Sequence, residues 1–414
     1  MQSALNATRL ILNALRPDQT PTTWESDRAQ SQADWDDLAV RAIVLGLAPQ
    51  LQQRLVNWRC EIPPRAAAKL SATRHAHAQR NTAIFAQLGE VLAACAEREL
   101  RPIALKGVYL AAVVYPDPAL RPMNDIDLLF TPAELPAVES MLEALDYSGK
   151  HKSSDLGPGV TKHTSSFRRS TIPAATPNPY LSTDADRTIE PHVSLEESWF
   201  GLKVDITPGV RERAAEANLG GHTCRVLARE DLLLHLSVHF CFHLIMGAPS
   251  MVQLADLLAV TAAGGIDWPT FVERSIARRA APFALAALTL ARDLLGAPVP
   301  GDVIADLAHA TPGPLRRRIA QLGLADILRR TQQKPLTTIS QRIRRGFRDR
   351  AETARWAPDW RSRWDVWKTA LRVGSTDTGQ MLLGHKNNDV IPSRAVGGEE
   401  SLMPRGRDSS LRSE

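Results

Sequence analysis

The chain has 414 residues, roughly two to three times the size of a typical single domain. Its 44% hydrophobic and 23% charged residues exclude a wholly disordered, fibrous or membrane-embedded protein. The net charge of +5 is segregated: from Thr311 onward 21 basic residues face 11 acidic ones, which leaves the preceding part at −5. A basic C-terminal quarter fits either contact with something anionic (a membrane surface, nucleic acid or a partner) or a solvated helix followed by disorder. Cys60, Cys95, Cys224 and Cys241 lie far apart with no CxxC spacing, so neither a disulfide framework nor a zinc knuckle is indicated, and a reducing cytoplasm is expected. Arg9 interrupts the apolar run of the start, a poor signal peptide, and no apolar stretch reaches the roughly 18 residues of a membrane span.

In chain order, residues 1–100 read as packing helices. Leu38, Ala42, Leu45, Leu51 and Leu55 recur at three-and-four spacing between Trp35 and Trp58, and Pro63 and Pro64 open a second helical stretch to about Arg98. The texture changes at Arg101. RPIALKG is a short buried strand entering a turn, VYLAAVVYP one short helix stopped by Pro116, and NDIDLLF a second strand. TPAELPAVESMLEALDY predicts a helix with Thr131 as N-cap and Pro132 at the first helical position. Residues 148–188 read as one strand, VTKHTSSFRR, with a long loop behind it, followed by strands in RTIEPHVSL and LKVDIT. From Arg229 the helical period returns and runs to about residue 330. Beyond it, Trp356, Trp360, Trp364 and Trp367 fall on one helical face among arginines, and the last 40 residues read as disordered. The tryptophan face suits a membrane interface, nucleic acid, or packing on the protein's own helices, of which packing is the preferred reading.

The sharpest chemical feature is Asp125-Ile126-Asp127 inside an apolar strand. Residues two apart in a strand share a face, so both carboxylates point one way while Ile126 and Leu128 face the core. Two like charges so close favour a cation between them, and magnesium suits carboxylate oxygens and substrate phosphates. Upstream, Lys106 and Gly107 sit where a strand hands over to a helix, a place where backbone amides and a lysine can meet a phosphate. Arg121 could reach the same phosphates or form a salt bridge. His235, His239 and His243 line one helical face without the glutamate of a zinc-protease pattern, so a structural or substrate-facing role is expected.

The string LKGVYLAAVVYPDPALRPMNDIDLLF resembles the LKG, arginine and DIDLL signature of the uncharacterised nucleotidyltransferase family within the DNA polymerase beta-like superfamily. The TIEPH, REDLLLHLSVH and LADLLAVTAAGGIDW segments are similar to further family motifs, and the resemblance covers about residues 8–300. It implies an α+β fold: a polymerase beta-like core of small mixed sheet and helices, flanked by an N-terminal helical segment and a C-terminal helical domain. By the same resemblance two magnesium ions, or manganese in their place, would lie between Asp125, Asp127 and a third carboxylate. Glu190 takes that third place, with Asp205 in reserve; Lys106 and Gly107 take the phosphate turn, and Arg121 matches the family arginine. His192, two residues from Glu190 in the same strand, is expected to orient that carboxylate. The chain departs from the pattern in having a single glycine at the phosphate turn, Pro191 after Glu190, and Val193 where tryptophan is usual.

The expected organisation is a helical segment over 1–100, a nucleotidyltransferase core over 101–210 with a loop insertion near 168–188, a helical domain over 211–335, and a basic Trp/Arg helix with a disordered tail over 336–414. The expected activity is metal-dependent transfer of a nucleoside monophosphate from a nucleoside triphosphate such as ATP to a hydroxyl on a protein, metabolite, sugar or RNA. The alternative is a catalytically weak nucleotide-binding or scaffolding protein. Localisation is expected to be cytoplasmic, with peripheral contact to an anionic membrane or nucleic acid through the basic tail.

Overall fold

The computed structural model of the chain describes residues 2–31, 33–151, 165–169, 187–331 and 339–371. The expected disordered tail and most of the loop after residue 168 lie outside the described residues, as does the first half of the VTKHTSSFRR strand.

Five helices precede the sheet: α1 (Gln2–Leu15), α2 (Pro21–Ser31), α3 (Trp35–Val44), α4 (Ala48–Asn57) and α5 (Pro64–Glu97). The periodic run from Trp35 to Trp58 is thus two helices. Asp34 caps α3 by accepting from the Asp36 and Asp37 amides at 2.9 and 3.1 Å, and the chain turns at Gly46 before α4. Trp24 anchors this layer, fully buried against Trp35 and Trp58 with its indole N–H donated to the Leu10 carbonyl at 2.9 Å. Helix α1 also packs on a helix near the other end of the fold, and Arg16 donates to the Asp293 carbonyl at 3.2 Å.

Seven strands form one mixed sheet in the order β3-β4-β5-β2-β1-β9-β8. They are β1 (Ile103–Ala104), β2 (Asp125–Leu129), β3 (Ser148–His151), β4 (Ser165–Arg168), β5 (Thr188–His192), β8 (Ala215–Leu219) and β9 (His222–Val226). The order interleaves early and late strands, and β2 runs parallel to β5 but antiparallel to β1. A separate antiparallel hairpin, β6 (Glu196–Trp199) and β7 (Leu202–Asp205), stands beside the sheet. Strands β8 and β9 lie beyond residue 210, in the stretch expected to be helical, and join the sheet through β1. Their turn sits on α5. The backbone of Gly220, at φ +58°, comes so close to Gly89 that a side-chain carbon on Gly89 would lie 2.7 Å from the Gly220 carbonyl oxygen.

Between strands run α6 (Lys106–Tyr109), continued by a wider turn over Leu110–Val114, and α7 (Leu135–Ala144). Helix α7 starts later than expected. Thr131 and Glu134 bond each other's backbone N–H reciprocally, which builds a turn that keeps residues 132–134 out of the helix. After the short α8 (Val210–Arg213), the C-terminal helices are α9 (Arg229–Met246), α10 (Met251–Ala262), α11 (Trp268–Ala277), α12 (Ala281–Leu295), α13 (Gly301–His309), α14 (Gly313–Ile319), α15 (Leu324–Thr331), α16 (Ile339–Trp356) and α17 (Trp360–Leu371).

The expected single tryptophan helix is two, because Pro358 cannot continue α16. The break splits the tryptophans. Trp356 is fully buried and stacks on Phe283, whose ring stacks on Phe242 in turn, whereas Trp360, Trp364 and Trp367 stay 71%, 51% and 37% exposed. Packing therefore accounts for Trp356 alone. The result is a mixed α+β fold with one continuous apolar core running through sheet and helices. Among the described residues no helix is long and apolar enough to cross a membrane.

Candidate active site

Strand β2 is apolar except where it carries Asp125 and Asp127 on one face, while Ile126 and Leu128 are fully buried. Its parallel pairing with β5 sets Asp127 opposite Glu190. The Phe130 amide extends that pairing by donating to the His192 carbonyl at 2.8 Å, and on the other side of β2 the Leu105 amide donates to the Asp127 carbonyl at 3.0 Å. Helix α5 fixes the neighbouring segments: Gln87 exchanges two hydrogen bonds with the Arg187 backbone, and the Asn81 amide donates to the Pro118 and Arg121 carbonyls.

Asp127 is the centre of the cluster. It is 3% exposed, with His192 Nε2 at 2.7 Å from one carboxylate oxygen and Lys106 Nζ at 3.2 Å from the other. Glu190 accepts from the Ser166 hydroxyl at 3.3 Å. Ligand-type atoms of Asp127, Glu190 and His192 all lie within 4.8 Å of one another, the one such grouping of three or more among the described residues. Burial pushes Asp125 up to about 7, the Asp127 charge adds to the shift, and Lys106 partly offsets it. Burial disfavours the Lys106 ammonium, but Asp127, Asp125, Glu197 and Glu190 together outweigh it and hold the lysine charged.

Lys106 sits in the left-handed region at φ +40°, where a side chain costs about 1–2 kcal/mol. The turn from β1 to α6 thus holds a lysine in an unfavourable conformation next to a buried carboxylate. Over the next residue, Gly107, lies Arg121, whose Nη1 would be 2.5 Å from any side-chain carbon placed there. Arg121 itself donates to both oxygens of buried Asp256 at 3.3 and 2.9 Å, and Tyr115 donates its hydroxyl to the same carboxylate at 2.9 Å. Of the two roles expected for Arg121, the structure displays the salt bridge. Burial opposes its charge, and Asp256 more than offsets that.

Other expected residues fall as follows. His192, expected to orient Glu190, bonds to Asp127. Asp205 lies at the end of the separate hairpin, exposed, accepting from the Thr207 amide and hydroxyl at 2.9 and 2.5 Å, and is not in the cluster. Half-buried His239 and buried Glu197 form a pair, Nδ1 to Oε1 2.7 Å, that joins α9 to β6. Burial pulls His239 well below its ordinary value; the Lys106 and His243 charges act the same way, and Glu197 works against them. Sequence reading missed Glu197 and Asp256. Glu197 stands in no local motif; Asp256 lies inside the LADLLAVTAAGGIDW segment, where a lone acidic residue in an otherwise apolar helix, α10, signals a buried partner.

The charges of Asp125, Asp127, Glu190 and Glu197 all bear on the Lys106 ammonium, and Arg121 bears on Asp125 in turn. Carboxylate oxygens with one imidazole suit a hard divalent cation, and Asp127, Glu190 and His192 are the residues whose ligand atoms come together to hold one, while Asp125 stands outside that grouping.

The sequence profile of a family described as an uncharacterised nucleotidyltransferase matches residues 31–296. No curated protein matches the chain. Among solved structures the chain is similar to the antibiotic-resistance factor ANT(2'')-Ia, seen in solution, with 14% identity and a TM-score of 0.33, over 51% of this chain and 96% of that one. A likeness that remote carries no argument.

Proposed function

We propose, for a chain that belongs to the uncharacterised nucleotidyltransferase family, that it moves a nucleoside monophosphate from a nucleoside triphosphate to an acceptor hydroxyl. The acceptor oxygen bonds to the α-phosphorus while the bond from that phosphorus to the bridging oxygen breaks. Pyrophosphate leaves with the electron pair, and the hydroxyl proton passes to a carboxylate of the cluster, Glu190 in our reading. The observation that carries this is the β2/β5 register, which sets Glu190 beside Asp127 on one buried face.

Asp125, Asp127 and Glu190 would hold magnesium, or manganese, which when bound lowers the pKa of an attacking hydroxyl and neutralises charge on leaving pyrophosphate. His192 fixes the orientation of Asp127 through its 2.7 Å contact. Lys106, already charged and at the strand-to-helix turn, supplies a cation for phosphate oxygens once Asp127 has another partner. Asp127 and His192 are buried, while Asp125 and Glu190 stay partly exposed, where a substrate can reach them. Acceptors of four kinds, protein side chain, metabolite, sugar and RNA end, present the required hydroxyl.

One observation favours a second reading, nucleotide binding without turnover: Lys106 and Arg121, both expected at phosphates, are engaged by carboxylates of the chain itself. One experiment separates the two. Purified protein and Asp127→Asn are incubated with each α-labelled triphosphate, magnesium and cell extract. Label transfer by the wild type and not by the variant supports the enzyme. Magnesium-dependent binding without transfer supports the second reading, and absence of both removes the two together.

A further inference from the structure

We infer that α17 is a docking helix for the surface of an anionic phospholipid membrane, lying along it with its tryptophan stripe at headgroup level. Trp360, Trp364 and Trp367 recur at i, i+4 and i+7, so they share one side of the helix, and all three point outward. The opposite side is where the helix meets the protein, with Val366 fully buried and α17 packed on β7. The start of α17 is pinned by Asp359, which accepts from the Ser362 amide at 2.8 Å and pairs with Arg279. The exposure of the stripe is therefore a property of a seated helix.

Three indoles side by side form a contiguous apolar surface of a kind that soluble proteins seldom leave in water. A shallow open hollow lined by Trp360, Arg363, Trp364 and Trp367 runs along it. Tryptophan combines an apolar body with one N–H, the combination that favours the boundary between headgroups and acyl chains. Arg361, Arg363 and Lys368 flank the stripe, with Asp365 as the one acidic residue, and the chain after Thr311 is strongly basic. That charge complements an anionic lipid surface.

The same geometry argues against a single-stranded nucleic acid as occupant. Such ligands stack bases on ring faces within a basic groove. Here the Arg361 guanidinium lies 5.5 Å from the Trp360 ring centre, and the Lys368 ammonium 6.0 Å from that of Trp364, so a cation of the chain itself already stands at one face of each of these rings. Among the described residues the stripe also stands on one exposed helix with no second wall.

The test uses the full chain with sucrose-loaded vesicles, of phosphatidylcholine alone or mixed with phosphatidylglycerol, read by cosedimentation and by the tryptophan emission maximum. Binding to the mixed vesicles with a blue-shifted emission is expected, weaker at high salt. The triple variant Trp360→Ala/Trp364→Ala/Trp367→Ala should partition at least about tenfold more weakly. Arg361→Gln/Arg363→Gln/Lys368→Gln should lose the preference for the mixed vesicles. Should the triple variant not fold, Trp364→Gln alone and the charge variant carry the same comparison. The inference is overturned if the wild type ignores vesicles, or if the tryptophan variants bind as well as the wild type. It is equally overturned if the stripe instead governs self-association or RNA binding in the absence of vesicle binding.

Discussion

The carboxylate face of the sheet and the outer face of α17 break the same rule in opposite directions. On the sheet, Asp127 is 3% exposed, with buried Glu197 and half-buried Asp125 and Glu190 acting on the same lysine; on α17, Trp360 is 71% exposed with two more indoles beside it. Folding alone would exchange them, since burying charge costs free energy and burying tryptophan yields it. The difference lies in what accompanies each. The buried carboxylates have internal partners, Lys106 and His192, that make them tolerable in the folded chain, whereas the exposed indoles have only flanking cations. One region has been stabilised from within; the other is completed from outside.

The largest effect is expected at Asp127. Asp127→Asn should reduce turnover by about 10³-fold or more, measured by label transfer. It should also lower the melting temperature without metal, because it leaves Lys106 buried beside a neutral amide. Like-charge repulsion considered from the sequence alone predicts no such loss; the two partners of Asp127 reverse that. Asp125→Asn, which removes a carboxylate already strained by burial and by Asp127, should leave the metal-free melting temperature unchanged or raised. Equal shifts for both variants would break the contrast between them.

Next comes the tryptophan that obeys the rule. Trp356→Ala should cost about 3–5 kcal/mol by emptying the space against Phe283, read by denaturant unfolding. His192→Ala should then lower turnover by about 10–100-fold, with His192→Gln recovering part of it by keeping a donor toward Asp127.

A smaller effect concerns pH. Asp125 holds its proton to about 7 in the folded state against an ordinary 3.8, so between these values the folded chain binds more protons than the unfolded one. Metal-free stability should therefore fall as pH rises from about 4 to about 7, and the slope should flatten in Asp125→Asn. Melting curves across that window, with chelator present, test the sign. Smallest of all is the expected stability change in the triple α17 variant, within about 0.5 kcal/mol of wild type. A larger loss would mean that the stripe is packed rather than presented.

How far the sequence could be read follows the range of the interaction involved. The β2 strand, its two aspartates, the TIEPH strand with Glu190, and the return of helices at Arg229 all rest on local period, and each is found where expected. What failed was of two kinds. Some signals were local but overridden: the helical period runs through Pro358 and hides the break between α16 and α17, and Thr131 caps a turn rather than a helix. The Gly220-Gly221 pair between β8 and β9 is a hairpin turn whose signal is local and legible in the sequence. Other facts have no local signal at all. Arg121 and Asp256 are 135 residues apart, and Glu197 and His239 are 42 apart, so their pairing becomes visible only once the sheet and α9 are assembled.

The docking of α1 near the far end of the fold bears on the order of synthesis. Arg16 and its acceptor Asp293 are separated by 277 residues. At ribosomal rates of about 5–20 residues per second, roughly 15 to 55 s pass between the emergence of one and the other. Throughout that interval the face of α1 that meets α12 has no α12 to meet, although α3 and α4 can already cover other parts of it. The nascent chain thus carries one apolar seam open until α12 emerges, and the first helix completes its packing only when α12 and then α15 have been made.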